Sequence, residues 1–132
     1  MDATFSTTRK MNERGQRLNL DFLQEMAGGD NEFVIEILEI FLDDAPTTLE
    51  SIRNGMIESD FSSVKTSVHK LKSSIKVLGE DKLADFAQIV EQEAEVNNES
   101  EEFKMKIAKL EKSVEQLIKD AGWQVKYLKT QL

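Results

Sequence analysis

Residues 60–79 of the chain read DFSSVKTSVHKLKSSIKVLG. The apolar residues of this stretch recur at steps of three and four, which is the spacing of one buried stripe on an α-helix. They are Phe61, Val64, Val68, Leu71, Ile75 and Leu78. At about 100° per residue, His69 lies roughly 130° from the centre of that stripe. The stretch therefore predicts an amphipathic helix that anchors one face in a core and points His69 at solvent.

Cap residues mark both ends of this helix, and further helices are predicted upstream of it. Asp60 is a typical N-cap residue, and Gly79 is typical just past a helix C-terminus.

A short helix with one apolar face ends at Gly28-Gly29; the residues of that face are Leu18, Leu20, Leu23 and Met26. A long helix follows, capped by Asp30 or Asn31. We expect a kink at its Pro46 rather than an end, because proline removes one hydrogen bond of the ladder.

Two more helices are predicted downstream of residue 79. Asp81 can cap the first of them, and Asn97-Asn98 interrupt it. Its expected apolar stripe is Leu83, Phe86, Ile89 and Val90. Ser100 opens the last helix, whose apolar stripe runs from Phe103 to Leu128. The chain is therefore predicted to be all-α: an antiparallel four-helix bundle with a short additional N-terminal helix.

The length and composition fit one small soluble domain. The chain has 132 residues and no cysteine, which excludes disulfides and thiolate metal sites. Residues 1–17 are polar and predict a flexible or loosely helical lead-in, so the bundle should occupy residues 18–132. The sequence has no apolar run of membrane-spanning length and no signal-peptide pattern. We expect a cytoplasmic monomer that does not bind a membrane.

The charge is unevenly distributed along the chain. Residues 61–79 carry four lysines and no acid, whereas residues 30–60 and residues 80–102 each carry nine acids and one base. A formal net charge of −8 argues against a nucleic-acid partner, since such proteins are more often basic. Charge complementarity between neighbouring helices explains much of this pattern. It leaves open a functional role for the lysines near the histidine.

The stretch resembles the histidine phosphotransfer (HPt) domain of two-component phosphorelays. Asp60-Phe61 lies eight to nine residues before the histidine, the run HKLKSS spans residues 69–74, and Leu78-Gly79 follows. Residues 29–33, followed by Phe41, resemble the opening of that family's second helix. The similarity extends over roughly residues 18–120, nearly the whole chain.

This resemblance implies a phosphocarrier without autonomous kinase activity. His69 would accept a phosphoryl group from a receiver-domain phosphoaspartate and relay it to another response-regulator receiver. A hybrid sensor histidine kinase would be the further partner. Lys72 matches the family's lysine, which offsets charge on the phosphoryl oxygens, and Ser73 stands where glycine is commonest. Part of the leading helix, including Leu23 and Met26, would form an apolar rim of the docking surface.

The residue types around His69 suit the same chemistry. Neutral imidazole is a good nucleophile without a separate base, and phosphoryl transfer needs positioning and charge stabilisation more than covalent assistance. Lys72, which we expect to be exposed, can supply a cation one turn away. Lys65, Ser73 and Lys76 are candidate docking residues on the same face. No carboxylate shares this face of the helix. We therefore expect no cofactor in this chain and a Mg²⁺ ion brought by the receiver.

The sequence allows three alternative interpretations of these residues. A binding-only bundle would dock receivers without carrying phosphate. A small enzyme using His69 as general base would need a partner acid and a concave pocket. A carboxylate metal site could use Glu91 with Glu95, but a di-iron bundle needs paired Glu-x-x-His motifs, and Thr66 stands three residues before the single histidine. We therefore expect no metal site, with these acids on solvated faces.

Overall fold

Five α-helices make up the part of the chain that the computed structural model describes, residues 18–96 and 99–132. They are α1 (Asp21–Met26), α2 (Asn31–Ile57), α3 (Phe61–Val77), α4 (Asp81–Val96) and α5 (Glu101–Lys129). The described residues contain no β-strand, so the predicted all-α fold is confirmed. None of the described helices combines the length and apolar character needed to cross a bilayer. The predicted lead-in, residues 1–17, and the predicted break at Asn97-Asn98 lie outside the described residues.

The four long helices form an antiparallel bundle, as predicted. Each packs against two neighbours in the cyclic order α2, α3, α4, α5 and back to α2, and α1 packs on α2. Only residues 58–60 join α2 to α3, and only residues 78–80 join α3 to α4. Such short connections require consecutive helices to run in opposite directions. Helix α3 therefore lies between α2 and α4, with α5 diagonally across the bundle.

The predicted ends of α3 are confirmed. The Asp60 side chain accepts a hydrogen bond from the backbone N–H of Ser63 at 3.1 Å, which caps the first turn. Beyond the last turn, Gly79 has a left-handed backbone with φ of +81°. A Cβ at Gly79 would lie 2.7 Å from the Cβ of Phe22 in α1. A glycine is therefore required there both for the turn and for the seat of α1 against the end of α3.

Helix α2 begins and continues as its sequence indicates. The Asp30 side chain accepts from the backbone N–H groups of Glu32 and Phe33, which caps its first turn. The helix continues through Pro46. The expectation that this proline does not end the helix is therefore confirmed. Gly28 and Gly29 both have positive φ in the predicted turn before it.

The buried face of α4 differs from the prediction. Its fully or nearly buried residues are Ala84, Ala87, Val90 and Ala94. Leu83 and Phe86 are only partly buried, and Ile89 is exposed, so the predicted stripe is wrong except at Val90. The prediction rests on the spacing of the largest apolar residues, whereas the interface uses the smallest, which let two helix axes approach closely. Asp81 is also the first residue of α4 rather than its N-cap.

Two helical glycines, Gly55 in α2 and Gly122 in α5, provide a test of how closely α2 packs on α3. In α2, a Cβ on Gly55 would lie 2.7 Å from Cγ2 of Val64, which is fully buried in α3. Overpacking of a core costs roughly 1–3 kcal/mol, and alanine gains about 1 kcal/mol in helix propensity. We therefore expect Gly55→Ala to lower the free energy of unfolding by about 1 kcal/mol, measured by chemical denaturation.

Gly122→Ala in α5 is the matched control. A Cβ there would meet no atom within 4 Å. This variant should gain about 0.5–1 kcal/mol of stability from helix propensity alone. Shifts of the same sign in both variants would contradict the close α2–α3 contact at Gly55.

Candidate functional site

His69 projects from the middle of α3 on the side away from the core. Its neighbours Val68 and Leu71 are buried, whereas 57% of the His69 side-chain surface is exposed. The predicted solvent-facing histidine is therefore confirmed. The opposite face of the helix is packed in the core, so the backbone of His69 is fixed. Its imidazole ring is accessible from solvent.

Polar side chains of α4 reach across to this face of α3 as a ladder of three contacts. Each step of three or four residues forward along α3 corresponds to an equal step back along α4, as antiparallel helices require. The contacts are Lys65 Nζ to Glu95 Oε1 at 3.2 Å, His69 Nδ1 to Glu91 Oε2 at 2.8 Å, and Lys72 Nζ to Gln88 Oε1 at 2.6 Å. The site is therefore built by two helices, not by α3 alone.

Glu91 is the central residue of this ladder. One carboxylate oxygen contacts His69, and the other lies 3.1 Å from Lys72 Nζ. The Glu91 side chain is only 13% exposed. The expectations that no carboxylate shares this face and that Glu91 lies on a solvated face are therefore wrong. The reason is that α4, packed through its alanines, brings Glu91 over a helix that has no acid of its own.

Opposing effects act on the ionisation of Glu91. Burial raises the pKa of its carboxyl, but the contacts with Lys72 and His69 lower it by more, so the pKa lies below its usual value. The carboxylate is therefore ionised at neutral pH.

The contact with Glu91 determines which nitrogen of the imidazole is available. An ionised carboxylate can only accept hydrogen bonds, so neutral His69 must carry its proton on Nδ1. The unprotonated nitrogen is then Nε2. The contact with Glu91 holds the ring in one orientation. The lone pair is then on Nε2, the nitrogen that Glu91 does not contact.

Lys72 is less exposed than predicted. Its side chain is 19% exposed, because the ammonium lies between Gln88 and Glu91 of α4. The prediction of an exposed lysine is wrong, although the predicted position one turn from His69 is correct. A lysine held at a fixed place beside the imidazole can supply a localised positive charge.

The three other predicted residues of this face differ in their contacts. Lys65 pairs with exposed Glu95, whereas Lys76 forms no ion pair within residues 18–96 and 99–132. Ser73 is exposed, and its hydroxyl donates to the backbone carbonyl of His69 at 3.3 Å. That bond turns the Ser73 oxygen back onto its own helix and leaves little bulk beside the imidazole. The docking roles of these residues stay predictions.

An exposed apolar surface continues from this face towards α1. We call it the apolar rim: Phe22, Met26, Ile40 and Val77, all exposed. Val77 lies four residues beyond Ser73, which itself lies four beyond His69, so the three form one row on α3. A shallow groove between α2 and α3 is lined by Ile37, Ile40, Phe41, Ser74, Val77 and Leu78.

Of the two docking residues predicted in α1, only one is accessible. Met26 is 50% exposed, but Leu23 is fully buried in the core. The prediction that Leu23 contacts a partner is therefore wrong. Sequence reasoning also missed Phe22, because the periodicity of a helix of six residues is too short to distinguish the two faces.

The carboxylates of this region do not gather into a metal site. Among residues 18–96 and 99–132, no group of three or more His, Cys, Asp or Glu is placed to hold a metal ion. Glu91 and Glu95 instead each contact basic side chains of α3.

Comparison with known proteins identifies the family. The family model described as the Hpt domain matches residues 36–120, which is more than half of the chain and includes α3 and α4 entirely. No curated protein and no solved structure matches the chain. Hpt domains generally carry a phosphohistidine in two-component phosphorelays, where they interact with receiver domains and kinases, and they are phosphocarriers rather than enzymes. The chain, with an exposed histidine on the third of the five described helices, belongs to the Hpt domain family.

Proposed function

We propose that this protein is a histidine phosphotransfer protein that accepts a phosphoryl group on His69 from a receiver-domain phosphoaspartate and relays it to another receiver. The observation that carries the proposal is the exposed imidazole held through Nδ1 by Glu91 at 2.8 Å. Its partners are response-regulator receivers and a hybrid sensor histidine kinase. It acts as a cytoplasmic monomer and has no kinase activity of its own.

The transfer step follows from the tautomer of His69. The Nε2 lone pair attacks phosphorus, the bond from phosphorus to the receiver's aspartate oxygen breaks, and the aspartate leaves as a carboxylate. The ring then carries phosphorus on Nε2 and its original proton on Nδ1, so it is positively charged. Ionised Glu91 stabilises that charge through the existing Nδ1–H contact. No proton has to enter or leave His69 for the balance to hold.

Lys72 stabilises the negative charge that is transferred. Its ammonium lies one helical turn from His69 and is held by α4. The described acid nearest the imidazole, Glu91, is already engaged by two basic groups, so these residues do not form a magnesium site. We therefore assign the Mg²⁺ ion of the reaction to the receiver, as a partner's contribution.

The apolar rim forms the docking surface beside His69. Its members are exposed apolar side chains adjoining the row from His69 to Val77. Buried apolar contacts at the centre of an interface supply most of its affinity, and charges at its edge mainly raise the association rate. Lys76, with no ion pair among the described residues, is suited to that second role.

The first prediction concerns the phosphorylated residue. His69→Gln should abolish labelling by a receiver loaded with acetyl phosphate, because the chain has no other histidine. The label on the wild type should be acid-labile and alkali-stable. Circular dichroism should be unchanged, since the side chain lies outside the core. Labelling of the variant would refute the carrier assignment, and receiver binding by an unlabelled wild type would support a binding-only bundle.

The second prediction concerns Glu91. Glu91→Gln removes the negative charge that stabilises the phosphorylated ring, so transfer to His69 should slow by about tenfold, equivalent to roughly 1.4 kcal/mol of barrier. The control is Glu95→Gln, which removes an exposed carboxylate one turn away on the same helix. Its rate should stay within about twofold of wild type. Single-turnover transfer kinetics measure both, and equal effects of the two substitutions would contradict the role of Glu91.

The third prediction concerns docking. Met26→Glu places a charge on the apolar rim and should weaken receiver binding by at least about tenfold. Met105→Glu makes the same substitution at an exposed methionine of α5, the helix diagonal to α3. It should leave affinity unchanged in a calorimetric titration. If both variants bound as tightly as wild type, the docking surface would lie elsewhere.

A further inference from the structure

We infer that Gln88 is a positioning residue that holds Lys72 at the phosphoryl site without neutralising its charge. The inference rests on the phosphocarrier function proposed above. It concerns a residue of α4 that lies opposite Lys72 and makes no contact with His69 in the ladder.

The contact itself is short and has one possible orientation. Lys72 Nζ lies 2.6 Å from the Gln88 side-chain amide, in a partly buried position. An ammonium has three donors and no acceptor, so the amide must present its oxygen. Lysine has a long flexible stem and loses rotamer entropy when it is fixed. A neutral acceptor from α4 therefore confines the ammonium near His69 before any partner arrives.

The distribution of charge along the ladder indicates what the contact between Lys72 and Gln88 does. Lys65, which makes no contact with Glu91 in the ladder, faces the carboxylate of Glu95. Lys72 faces an uncharged amide and shares the single carboxylate of Glu91 with His69. Lys72 thus has less opposing negative charge than Lys65. Part of its positive charge stays available to phosphoryl oxygens.

A carboxylate at position 88 would change that balance while preserving the contact. It would accept from Lys72 as the amide does, but would neutralise the ammonium and leave Glu91 to His69 alone. The fold should lose little, because an ammonium–carboxylate contact replaces an ammonium–amide contact and offsets the repulsion from Glu91 one turn away on α4. A purely structural Gln88 would tolerate this substitution, whereas a positioning residue that must be uncharged would not.

The test is Gln88→Glu, with Gln92→Glu as matched control. Gln92 lies four residues further on α4 and is exposed, so the control adds the same charge away from Lys72. Single-turnover transfer from a receiver loaded with acetyl phosphate is measured at saturating receiver. We expect the rate constant of Gln88→Glu to fall by about tenfold with receiver affinity and melting temperature unchanged. Gln92→Glu should stay within about twofold of wild type.

Two further variants separate positioning from direct repulsion. Gln88→Ala releases Lys72 and should also slow transfer at saturation by several-fold. In a Lys72→Ala background, Gln88→Glu should change the rate by less than about twofold, since a residue acting through Lys72 has no effect once Lys72 is gone.

The outcomes distinguish this inference from the proposed function. If the wild type took no label, the phosphocarrier function itself would fail. If the wild type were labelled and Gln88→Glu or Gln88→Ala transferred at the wild-type rate, the role of Gln88 would be overturned. An equal tenfold loss from Gln88→Glu in the Lys72→Ala background would overturn it too, because the added charge would then act without Lys72.

Discussion

The close packing of α4 on α3 is the constraint on which the site depends. Three alanines, Ala84, Ala87 and Ala94, form most of the buried face of α4. Small side chains let the two antiparallel helices approach, and the polar residues beside that face then reach across the boundary. Without this approach His69 would be an exposed histidine with only lysines and hydroxyls of its own helix around it. With it, Glu91 lies 2.8 Å from the imidazole.

Helices α3 and α4 contribute different groups to the site. Helix α3 supplies the imidazole that we propose reacts and the cation of Lys72, and α4 supplies the groups that orient them. The carboxylate of Glu91 contacts both His69 and Lys72. This shared contact fixes the tautomer of His69 and limits how far the charge of Lys72 is neutralised. This arrangement explains how a side chain more than half exposed can still have a defined orientation. It also fits the proposed function, in which the partner supplies the metal and the leaving aspartate.

The sequence predicted the helices well and the groups that orient the site poorly. Caps at Asp30, Asp60 and Ser100 act locally, so single residues located three helix starts. The predicted stripe of α4 is wrong because periodicity favours large residues, whereas this interface uses alanine. Glu91 was missed because its role depends on how two helices are aligned. A signal did exist: a connection of residues 78–80 places His69 opposite Glu91 once both helices are known to be antiparallel.

The position of the phosphoryl group on the imidazole tests this account most directly. Heteronuclear NMR of the ¹⁵N-labelled chain, before and after phosphorylation by a receiver, reports both ring nitrogens of its single histidine. The account predicts a protonated Nδ1 in the free chain and phosphorus bonded to Nε2 in the phosphorylated chain, with Nδ1 still protonated. Phosphorus on Nδ1, or a free chain protonated on Nε2 alone, would contradict the orientation of His69 by Glu91.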